Sequence, residues 1–295
     1  MMRKKFSGMG VALVTPFTST GEIDYATLEK LVQMHIDCGT AFLCVQGTTA
    51  ETPTLTIEEK REIRKRIIKQ VDGRMPIMLG VGGNCTRAVV EELKTEDFTG
   101  VDAILSVAPY YNKPVQEGIY QHYKAIAEAT ELPIYMYNVP GRTGVNMTAE
   151  TALRLAEIDN VVAIKEASGN KEQIMEILRN APEGFQVLSG NDDDTLWMME
   201  NGGAGIISVA SNVAPELLAE FVGAIRKYEW EKARELETRL TPLFVNCFVE
   251  SNPIPAKAAM AAMGLIENEL RLPLVPAQQK TYDLMAATVR NLGLL

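Results

Sequence analysis

The sequence predicts an α/β fold, a (β/α)8 TIM barrel with a C-terminal helical extension. Short apolar runs recur along the chain of 295 residues, and amphipathic stretches lie between them. The runs are almost continuously apolar, which is typical of parallel strands that are buried on both faces. Eight successive strand-then-helix units are the pattern of a closed barrel.

Each predicted strand is an apolar run bounded by turn residues. The eight runs are Val11–Thr15, Ala41–Val45, Pro76–Val81, Ala103–Val107, Pro133–Tyr137, Val161–Lys165, Phe185–Ser189 and Gly205–Val209. An open, doubly wound sheet is the alternative fold, and it usually carries a glycine-rich fingerprint after its first strand. Residues 15–18 read Thr-Pro-Phe-Thr at that position, so the sequence favours the barrel.

Helices are predicted between the strands from apolar stripes at helical spacing. One stripe consists of Leu28, Leu31, Val32 and Ile36, and another consists of Ile119, Tyr123, Ile126 and Ala127. Thr56 followed by Glu59 is the pattern of a capping box, in which each side chain accepts a hydrogen bond from the other residue's backbone N–H. A helix is therefore predicted to begin just after Thr56.

The chain from Pro215 onward is predicted to be helical and to be interrupted by prolines. The interrupting residues are Pro253, Pro255, Pro273 and Pro276. One barrel helix cannot use so many residues. We therefore predict a catalytic barrel over residues 1–225 and a helical appendage over residues 226–295, packed on the barrel within the same domain.

Composition limits the partners that the protein can have. The net charge of −9 disfavours nucleic acid and anionic membranes, because both attract basic proteins. No apolar run approaches the roughly 18 residues that span a membrane. The four cysteines lack C-x-x-C spacing, which indicates a reduced, cytoplasmic protein. We expect small-molecule substrates rather than nucleic-acid or membrane partners.

The positions of the histidines and acidic residues argue against a metal or phosphate site. His35 and His122 are the only histidines, and both fall on predicted helices rather than at strand ends. A His-ligated metal at the mouth of the barrel is therefore not expected, and no cofactor is predicted. Asp192, Asp193 and Asp194 follow the seventh strand, where their charges would repel a phosphate group. The sequence therefore disfavours a phosphosugar substrate.

Lys165 ends the sixth predicted strand, after the apolar residues 161–164. Active sites of barrels lie at the C-terminal ends of the strands. A lysine that is partly removed from water more readily provides a neutral amine, which can attack a ketone and form an imine. The alternative is a lysine whose long side chain extends to solvent from a strand end. Position alone does not decide between these two interpretations.

Hydroxyl and guanidinium side chains follow other predicted strands, and they favour the interpretation of Lys165 as an imine-forming residue. Tyr137 could donate and accept protons near an imine nitrogen, and Thr48 and Tyr111 could relay them to solvent. Arg142 could bind a carboxylate with both arms of its guanidinium group, and Thr49 lies in a turn that could offer N–H groups to a second carboxylate. Taken singly, the tyrosines could equally be packed rings, and Arg142 could be a surface residue.

At these residues the chain resembles the dihydrodipicolinate synthases, which belong to the pyruvate-dependent class I aldolase superfamily together with N-acetylneuraminate lyase. The resemblance covers essentially the whole chain. It is carried by Lys165 and by three motifs, which are Gly-Thr-Thr-Ala-Glu at 47–51, Pro-Tyr-Tyr-Asn-Lys-Pro at 109–114 and Tyr-Asn-Val-Pro-Gly-Arg-Thr-Gly at 137–144. The Gly-Arg-Thr-Gly ending points to the synthases rather than to the neuraminate lyases.

The resemblance implies a Schiff-base reaction on pyruvate, with aspartate semialdehyde as the second substrate and no cofactor. Lys165 would form the imine and Tyr137 would be the proton donor and acceptor. Thr48 and Tyr111 would complete the proton relay, with Tyr111 supplied across a subunit interface. Members of the family are usually homotetramers built from dimers, so the same assembly is expected here.

The resemblance also implies which residues bind the substrates. Thr49 and the backbone of Ile207 would hold the carboxylate of pyruvate, and Arg142 would receive the carboxylate of the semialdehyde. Gly190, which follows the seventh predicted strand, is placed among the substrate-binding residues. The product would be a cyclic hydroxy-dicarboxylate on the diaminopimelate pathway to lysine.

Ala50 is a departure from the family's pattern, because glycine usually occupies this position. An added methyl group disfavours a positive φ there. The turn is therefore expected either to use ordinary backbone angles or to shift slightly, and both threonines that precede it remain.

Two other functions remain open from the residues alone. One is a different pyruvate-dependent Schiff-base aldolase, such as an N-acetylneuraminate lyase-like enzyme, although a polyhydroxylated substrate calls for hydroxyl-binding side chains where Arg142 stands. The other is a non-catalytic barrel that senses a small keto acid. Ala50 is its only support, and the intact lysine, tyrosine and threonine set argues against it.

The sequence predicts weak or absent inhibition by lysine. The positions that match the family's effector-binding histidine and glutamate groups are Ile57, Lys60 and Ala88, although Asn84 and Tyr110 are kept. A bound lysine would lose a carboxylate partner at Ala88 and meet a like charge at Lys60. A steady-state assay with added lysine tests this expectation, and strong inhibition by sub-millimolar lysine would contradict it.

Overall fold

The computed structural model describes residues 6–295 and contains the predicted TIM barrel. Its eight parallel strands close into a barrel in the order in which they occur along the chain. The strands are β1 (Gly8–Ala12), β2 (Phe42–Val45), β3 (Ile77–Gly80), β4 (Ala103–Val107), β5 (Ile134–Asn138), β6 (Val161–Glu166), β7 (Gln186–Ser189) and β8 (Gly205–Ser208). All eight predicted strands are confirmed, and most of their bounds differ from the prediction by only one or two residues.

The first strand begins three residues earlier than its apolar run suggested. Gly8 and Gly10 belong to β1, and glycine is not a usual strand residue. A Cβ atom at Gly10 would lie 2.1 Å from the nearest ring carbon of Phe42 on β2. The glycine is needed because the neighbouring ring fills the space where a side chain would stand.

Helices follow the strands as the apolar stripes predicted. The helices are α1 (Tyr25–Asp37), α2 (Ile57–Val71), α3 (Thr86–Thr95), α4 (Gln116–Ala127), α5 (Pro140–Thr143), α6 (Ala149–Ala156), α7 (Lys171–Asn180), α8 (Thr195–Glu200), α9 (Pro215–Arg226), α10 (Trp230–Asn246), α11 (Ile254–Ala262) and α12 (Gln279–Asn291). The last three form most of the predicted helical extension. None of the helices in residues 6–295 is both long and apolar enough to cross a membrane.

The described residues form two compact units. The first contains residues 6–7 and 76–207, and it includes β3 to β7 with α3 to α8. The second contains residues 8–75 and 208–295, and it joins β1, β2, α1 and α2 to the C-terminal helices. The division of the chain at residue 225 into barrel and appendage stays a prediction.

Local sequence signals of helix ends and faces are largely confirmed. The capping box at α2 is formed, with Thr56 Oγ1 accepting from Glu59 N at 3.2 Å and Glu59 Oε2 accepting from Thr56 N at 2.8 Å. The stripe on α4 is buried throughout. On α1 the prediction is wrong at one position, because His35 is buried and Ile36 is only half-buried. A 3.0 Å hydrogen bond between His35 Nδ1 and Thr40 Oγ1 gives one nitrogen of the buried ring a partner.

Two buried histidines predict how stability depends on pH. Burial lowers the pKa of His35 and of His122 to about 4, whereas an unfolded histidine has a pKa of about 6.5. Below about pH 6.5 the unfolded chain therefore binds more protons than the folded chain, and the free energy of unfolding falls as the pH drops toward about 4. Each histidine contributes a slope of about 1.4 kcal/mol per pH unit within this window.

Urea unfolding of the wild type and of the double variant H35Q/H122Q across this pH range measures the contribution. Glutamine does not titrate, and it can keep a hydrogen bond to Thr40 or to Thr86, the partner of His122 Nδ1 at 2.9 Å. The variant should lose less stability on acidification than the wild type. Equal pH dependence in the two proteins would contradict the prediction.

Candidate active site

Lys165 and Tyr137 lie directly opposite each other on neighbouring strands. They are register partners on β6 and β5, and Lys165 Nζ lies 4.3 Å from the centroid of the Tyr137 ring. Both side chains are buried, at 5% and 7% exposure. The structure therefore brings the predicted nucleophile and the predicted proton donor together in a site that is largely closed to water.

Backbone hydrogen bonds extend the strands to the ends that carry this pair. Ala108 N donates to Tyr137 O, Ala167 N donates to Asn138 O, and Gly190 N donates to Glu166 O, at 2.8–2.9 Å. The residues after β4, β6 and β7 are thus tied to the strand beside each of them. Lys165 and Tyr137 are held by rigid strands rather than by mobile loops, which favours accurate positioning of reacting groups.

Gly190 leaves space for the lysine side chain. A Cβ atom there would lie 3.0 Å from Lys165 Cε, 2.7 Å from Ala167 Cβ and 3.2 Å from the carbonyl oxygen of Glu166. A side chain at this position would push against both a strand backbone and the side chain of Lys165. The predicted site residue Gly190 therefore lies beside Lys165, and Ile207 is fully buried on β8 of the same unit.

Arg142 lies on the short helix α5, which begins two residues after β5 ends. This helix ends at Gly144, which has a φ of 73° and whose N–H donates to Pro140 O at 2.9 Å. The side chain of Arg142 is exposed. A guanidinium group placed this way can meet an incoming anion close to the strand end that carries Tyr137.

Tyr111 follows β4 and is 88% exposed. Its φ is 73°, a left-handed conformation that bulky residues seldom adopt. Its N–H donates to Thr143 O at 3.3 Å, so the backbone at Tyr111 is tied to α5 while the ring points to solvent. The described chain does not bring the Tyr111 ring into the buried pair of Lys165 and Tyr137.

Thr48 and Thr49 belong to the second unit, in the turn after β2. Thr48 begins a short 3-10 helix that ends at Ala50, and Ala50 is not among the residues with positive φ. Of the two alternatives for Ala50, the turn uses ordinary backbone angles at this residue. The left-handed residues are instead Gln46 and Glu51, with φ of 57° and 54°.

Hydrogen bonds fix the shape of this turn from several directions. Thr15 Oγ1 donates to Ala50 O, and Thr52 Oγ1 donates to Gly47 O, both at 2.8 Å. Thr49 is buried, and its Oγ1 accepts from Asn252 Nδ2 at 2.9 Å. The predicted substrate-binding threonine is therefore held by a residue that lies just before α11.

A buried ion pair supports the same turn. Lys257 Nζ lies 2.6 Å from Glu51 Oε1, and both side chains are fully buried. Lys257 also donates to Glu269 O at 2.8 Å, and Arg271 N donates to Glu51 Oε2 at 3.0 Å. Burial lowers the pKa of Lys257, and the Glu51 carboxylate acts in the opposite direction. The geometry is that of a charged pair with further hydrogen bonds on both sides.

Arg271 extends this support to α2. Its guanidinium group donates to both carboxylate oxygens of Glu59 at 2.8 and 2.6 Å, and to the carbonyl oxygens of Gly21 and Thr54. The sequence interpretation missed Lys257 and Arg271 because it treated their segment as an appendage. One available signal was a lone lysine inside the otherwise apolar residues 254–262.

The sequence interpretation also missed a buried polar network beside the lysine. Glu166 is buried and accepts hydrogen bonds from Ser168 N at 2.7 Å, from Asn138 Nδ2 at 3.1 and 3.2 Å, and from Gln173 Nε2 at 3.3 Å. Burial raises the pKa of the Glu166 carboxyl, and these hydrogen bonds oppose the shift. Asn138 and Glu166 each follow a predicted site residue in the sequence, which is the signal that could have revealed them.

No group of three or more His, Cys, Asp and Glu side chains within residues 6–295 is arranged to hold a metal ion. His122 and His35 lie on helices α4 and α1, as predicted.

Comparison with known proteins identifies close relatives. The model of the Dihydrodipicolinate synthetase family matches residues 5–292. The 4-hydroxy-tetrahydrodipicolinate synthase of Parabacteroides distasonis is 55% identical over 97% of each chain, and that of Thermotoga neapolitana is 48% identical over 98% of this chain and 100% of its own.

Solved structures agree with the sequence comparison. The dihydrodipicolinate synthase of Thermotoga maritima superposes with a TM-score of 0.96 at 47% identity, covering 99% of this chain and 100% of its own. A chloride-inhibited dihydrodipicolinate synthase from Acinetobacter baumannii, solved with pyruvate, gives a TM-score of 0.95 at 42% identity, covering 98% and 99%.

The buried ion pair predicts a large effect of one substitution on stability. Lys257→Met leaves the Glu51 carboxylate buried without its cation, and the expected loss is about 3–5 kcal/mol in the free energy of unfolding. The matched control is Lys232→Met, which removes a half-exposed pair with Glu220 at 2.8 Å and should cost far less stability, because exposed ion pairs contribute little. Denaturant unfolding measures both, and similar losses in the two variants would show that Lys257 has no special role.

Proposed function

This chain belongs to the dihydrodipicolinate synthetase family, and we propose that it condenses pyruvate with aspartate 4-semialdehyde in the 4-hydroxy-tetrahydrodipicolinate synthase reaction. The reaction belongs to the diaminopimelate route to lysine and needs no cofactor, because the imine itself activates pyruvate. The observation that carries the proposal is the buried pair of Lys165 and Tyr137 at two neighbouring strand ends. Relatives at 46–55% identity over nearly the whole chain bear the name of this synthase.

The reaction begins when the neutral amine of Lys165 attacks the ketone carbon of pyruvate. The nitrogen lone pair forms the new bond, the oxygen takes a proton, and water leaves as the imine forms. The protonated imine is cationic, and a position near the face of the Tyr137 ring stabilises a cation. The methyl group then loses a proton to give an enamine, because the iminium group accepts the electron pair.

The enamine carbon attacks the aldehyde carbon of the second substrate, and the aldehyde oxygen takes up a proton. The amino group of the same substrate then attacks the imine carbon, which closes a ring and releases the amine of Lys165. The product is a cyclic hydroxy-dicarboxylate. Protons move at the lysine nitrogen, at the methyl carbon of pyruvate, at the substrate oxygens and at the amino group of the semialdehyde, and the Tyr137 hydroxyl is assigned the transfers near the lysine nitrogen.

Thr48 and Tyr111 are proposed to connect Tyr137 with solvent. The Tyr111 ring is exposed, which supports the proposal that its hydroxyl enters the active site of a second copy of the chain. We propose a homotetramer built from dimers. The backbone conformation that turns Tyr111 outward is tied to α5, the same element that carries Arg142. In this assignment the dimer completes each proton relay.

The two carboxylates of the substrates have separate proposed positions. Thr49 and the backbone of Ile207 bind the carboxylate of pyruvate, with Gly190 leaving room for the lysine that carries it. Arg142 binds the carboxylate of the semialdehyde, which its exposed position beyond β5 allows. The four cysteines of the chain form no disulfide, which supports a reducing, cytoplasmic location.

Borohydride reduction in the presence of pyruvate tests the imine. We expect one pyruvate-derived mass adduct on Lys165, and Lys165→Ala should lose both the adduct and nearly all turnover. Lys171→Ala removes an exposed lysine six positions further on and serves as the matched control, which should retain the adduct. Absence of an adduct on the wild-type Lys165 would refute the mechanism.

Arg142→Ala tests the choice of the second substrate. The variant should still trap pyruvate on Lys165, because Arg142 is assigned to the semialdehyde alone. Its kcat/KM for the semialdehyde should fall by about 10-fold or more, since a lost charge-assisted hydrogen bond costs about 1.5–3 kcal/mol. Arg154→Ala removes an exposed arginine that pairs with Glu117 on the surface and is the control. Near-normal kinetics in Arg142→Ala would show that the carboxylate assignment is wrong.

A further inference from the structure

The pairing of β5 with β6 is irregular just before the two reactive side chains. Ile134 pairs with Val161, but the next residue, Tyr135, pairs with Ala163, so Val162 is an extra residue on β6. From there the register is regular. A bulge of this kind changes the direction in which later side chains point, and a slip by one residue would move every later side chain to the opposite face.

The position of Lys165 beside Tyr137 therefore depends on how firmly the register is fixed after the bulge. Only four residue pairs follow it, and the last is Asn138 with Glu166. Short stretches of backbone pairing offer few hydrogen bonds to resist a slip. An additional interaction at the last pair would fix the register where the chemistry needs it.

Asn138 and Glu166 provide such an interaction through their side chains. Asn138 Nδ2 donates to both carboxylate oxygens of Glu166, at 3.2 and 3.1 Å, and both residues are buried. Successive side chains of a strand point to opposite faces. These two therefore lie on the other face of the strands from Lys165 and Tyr137, one residue further along.

Neighbouring groups hold the two side chains in a single orientation. Asn138 Oδ1 accepts from Met147 N at 2.9 Å, which leaves its amino group facing Glu166. Glu166 also accepts from Ser168 N at 2.7 Å and from Gln173 Nε2 at 3.3 Å. All these groups donate to Glu166, so the network suits a carboxylate and not an amide at that position.

We propose that Glu166 is a positioning residue for the reaction, which acts through Asn138 to hold Lys165 in register with Tyr137. Glu166 lies on the opposite face from the reacting groups and does not touch the substrate. The proposal rests on the proposed function, because the effect of Glu166 is exerted on the imine-forming pair. It assigns to the buried network a role in the rate of imine formation, in addition to any role in stability.

Glu166→Gln tests the proposal because it keeps the size of the side chain and turns one acceptor into a donor that faces Asn138. We expect the rate of pyruvate trapping on Lys165 and kcat to fall about 10-fold or more, since a displacement of about 1 Å can cost about 100-fold. The KM for pyruvate should change much less, because the proposed carboxylate-binding residues are untouched. Rates are measured in time courses and normalised to folded protein, which thermal unfolding and circular dichroism quantify.

The double variant N138D/E166Q provides a rescue. It reverses the direction of the hydrogen bond, because the carboxylate now stands on β5 and the amide on β6. The backbone N–H groups of Met147 and Ser168 keep acceptors in this arrangement. We expect trapping in the double variant to recover most of the loss seen with Glu166→Gln alone, which a general loss of stability would not produce.

Tyr135→Phe is the matched control. It removes a side-chain hydrogen bond of 2.9 Å, to Gln186, from the same strand β5, three residues before the pair of Asn138 with Glu166. Its trapping rate should stay within about twofold of the wild type. A similar loss in Tyr135→Phe, an unchanged rate in Glu166→Gln, or a loss that only follows the amount of folded protein would overturn the proposal. Failure of wild-type Lys165 to trap pyruvate would instead refute the proposed function.

Discussion

The buried ion pair between Lys257 and Glu51 is the interaction on which the turn after β2 depends. Glu51 has a left-handed backbone, a conformation that costs a non-glycine residue about 1–2 kcal/mol. Removing two charges from water adds a further penalty, which only good geometry and extra hydrogen bonds offset. The carbonyl of Glu269 and the N–H of Arg271 provide those bonds. The conformation that presents Thr48 and Thr49 is therefore fixed by the C-terminal segment.

Burial explains why so much of the fold could be predicted from the sequence. Strands covered on both faces must be apolar, so each of the eight runs was visible without any knowledge of its neighbours. The predicted strand bounds and buried positions are wrong where a residue from another part of the chain determines the packing. Gly10 belongs to β1 because the Phe42 ring occupies the space beside it. His35 replaces Ile36 in the core because Thr40 satisfies one of its nitrogens. Neither partner can be identified from local periodicity.

In the candidate site, too, some residues could be located from the sequence and others could not. The positions of Lys165, Tyr137 and Gly190 at neighbouring strand ends could be predicted because strand ends mark the chemical face of a barrel, and the roles assigned to them stay predictions. The residues that hold this site in shape were missed, since they make contacts across long stretches of sequence. Lys257 is 206 residues from Glu51, and no motif connects the two. Glu166 was also overlooked, although it follows Lys165 directly, because a charged residue at a strand end is usually solvated.

The position of Arg142 bears on how enzymes of this architecture diverge. Lys165 lies on a strand that is buried throughout, so few substitutions around it preserve its position. Arg142 is an exposed residue on a turn of four residues that a glycine closes. This turn lies outside the strands that carry Lys165 and Tyr137. In the proposed assignment, a substitution at Arg142 would change the acceptor aldehyde without altering the strands that carry Lys165 and Tyr137.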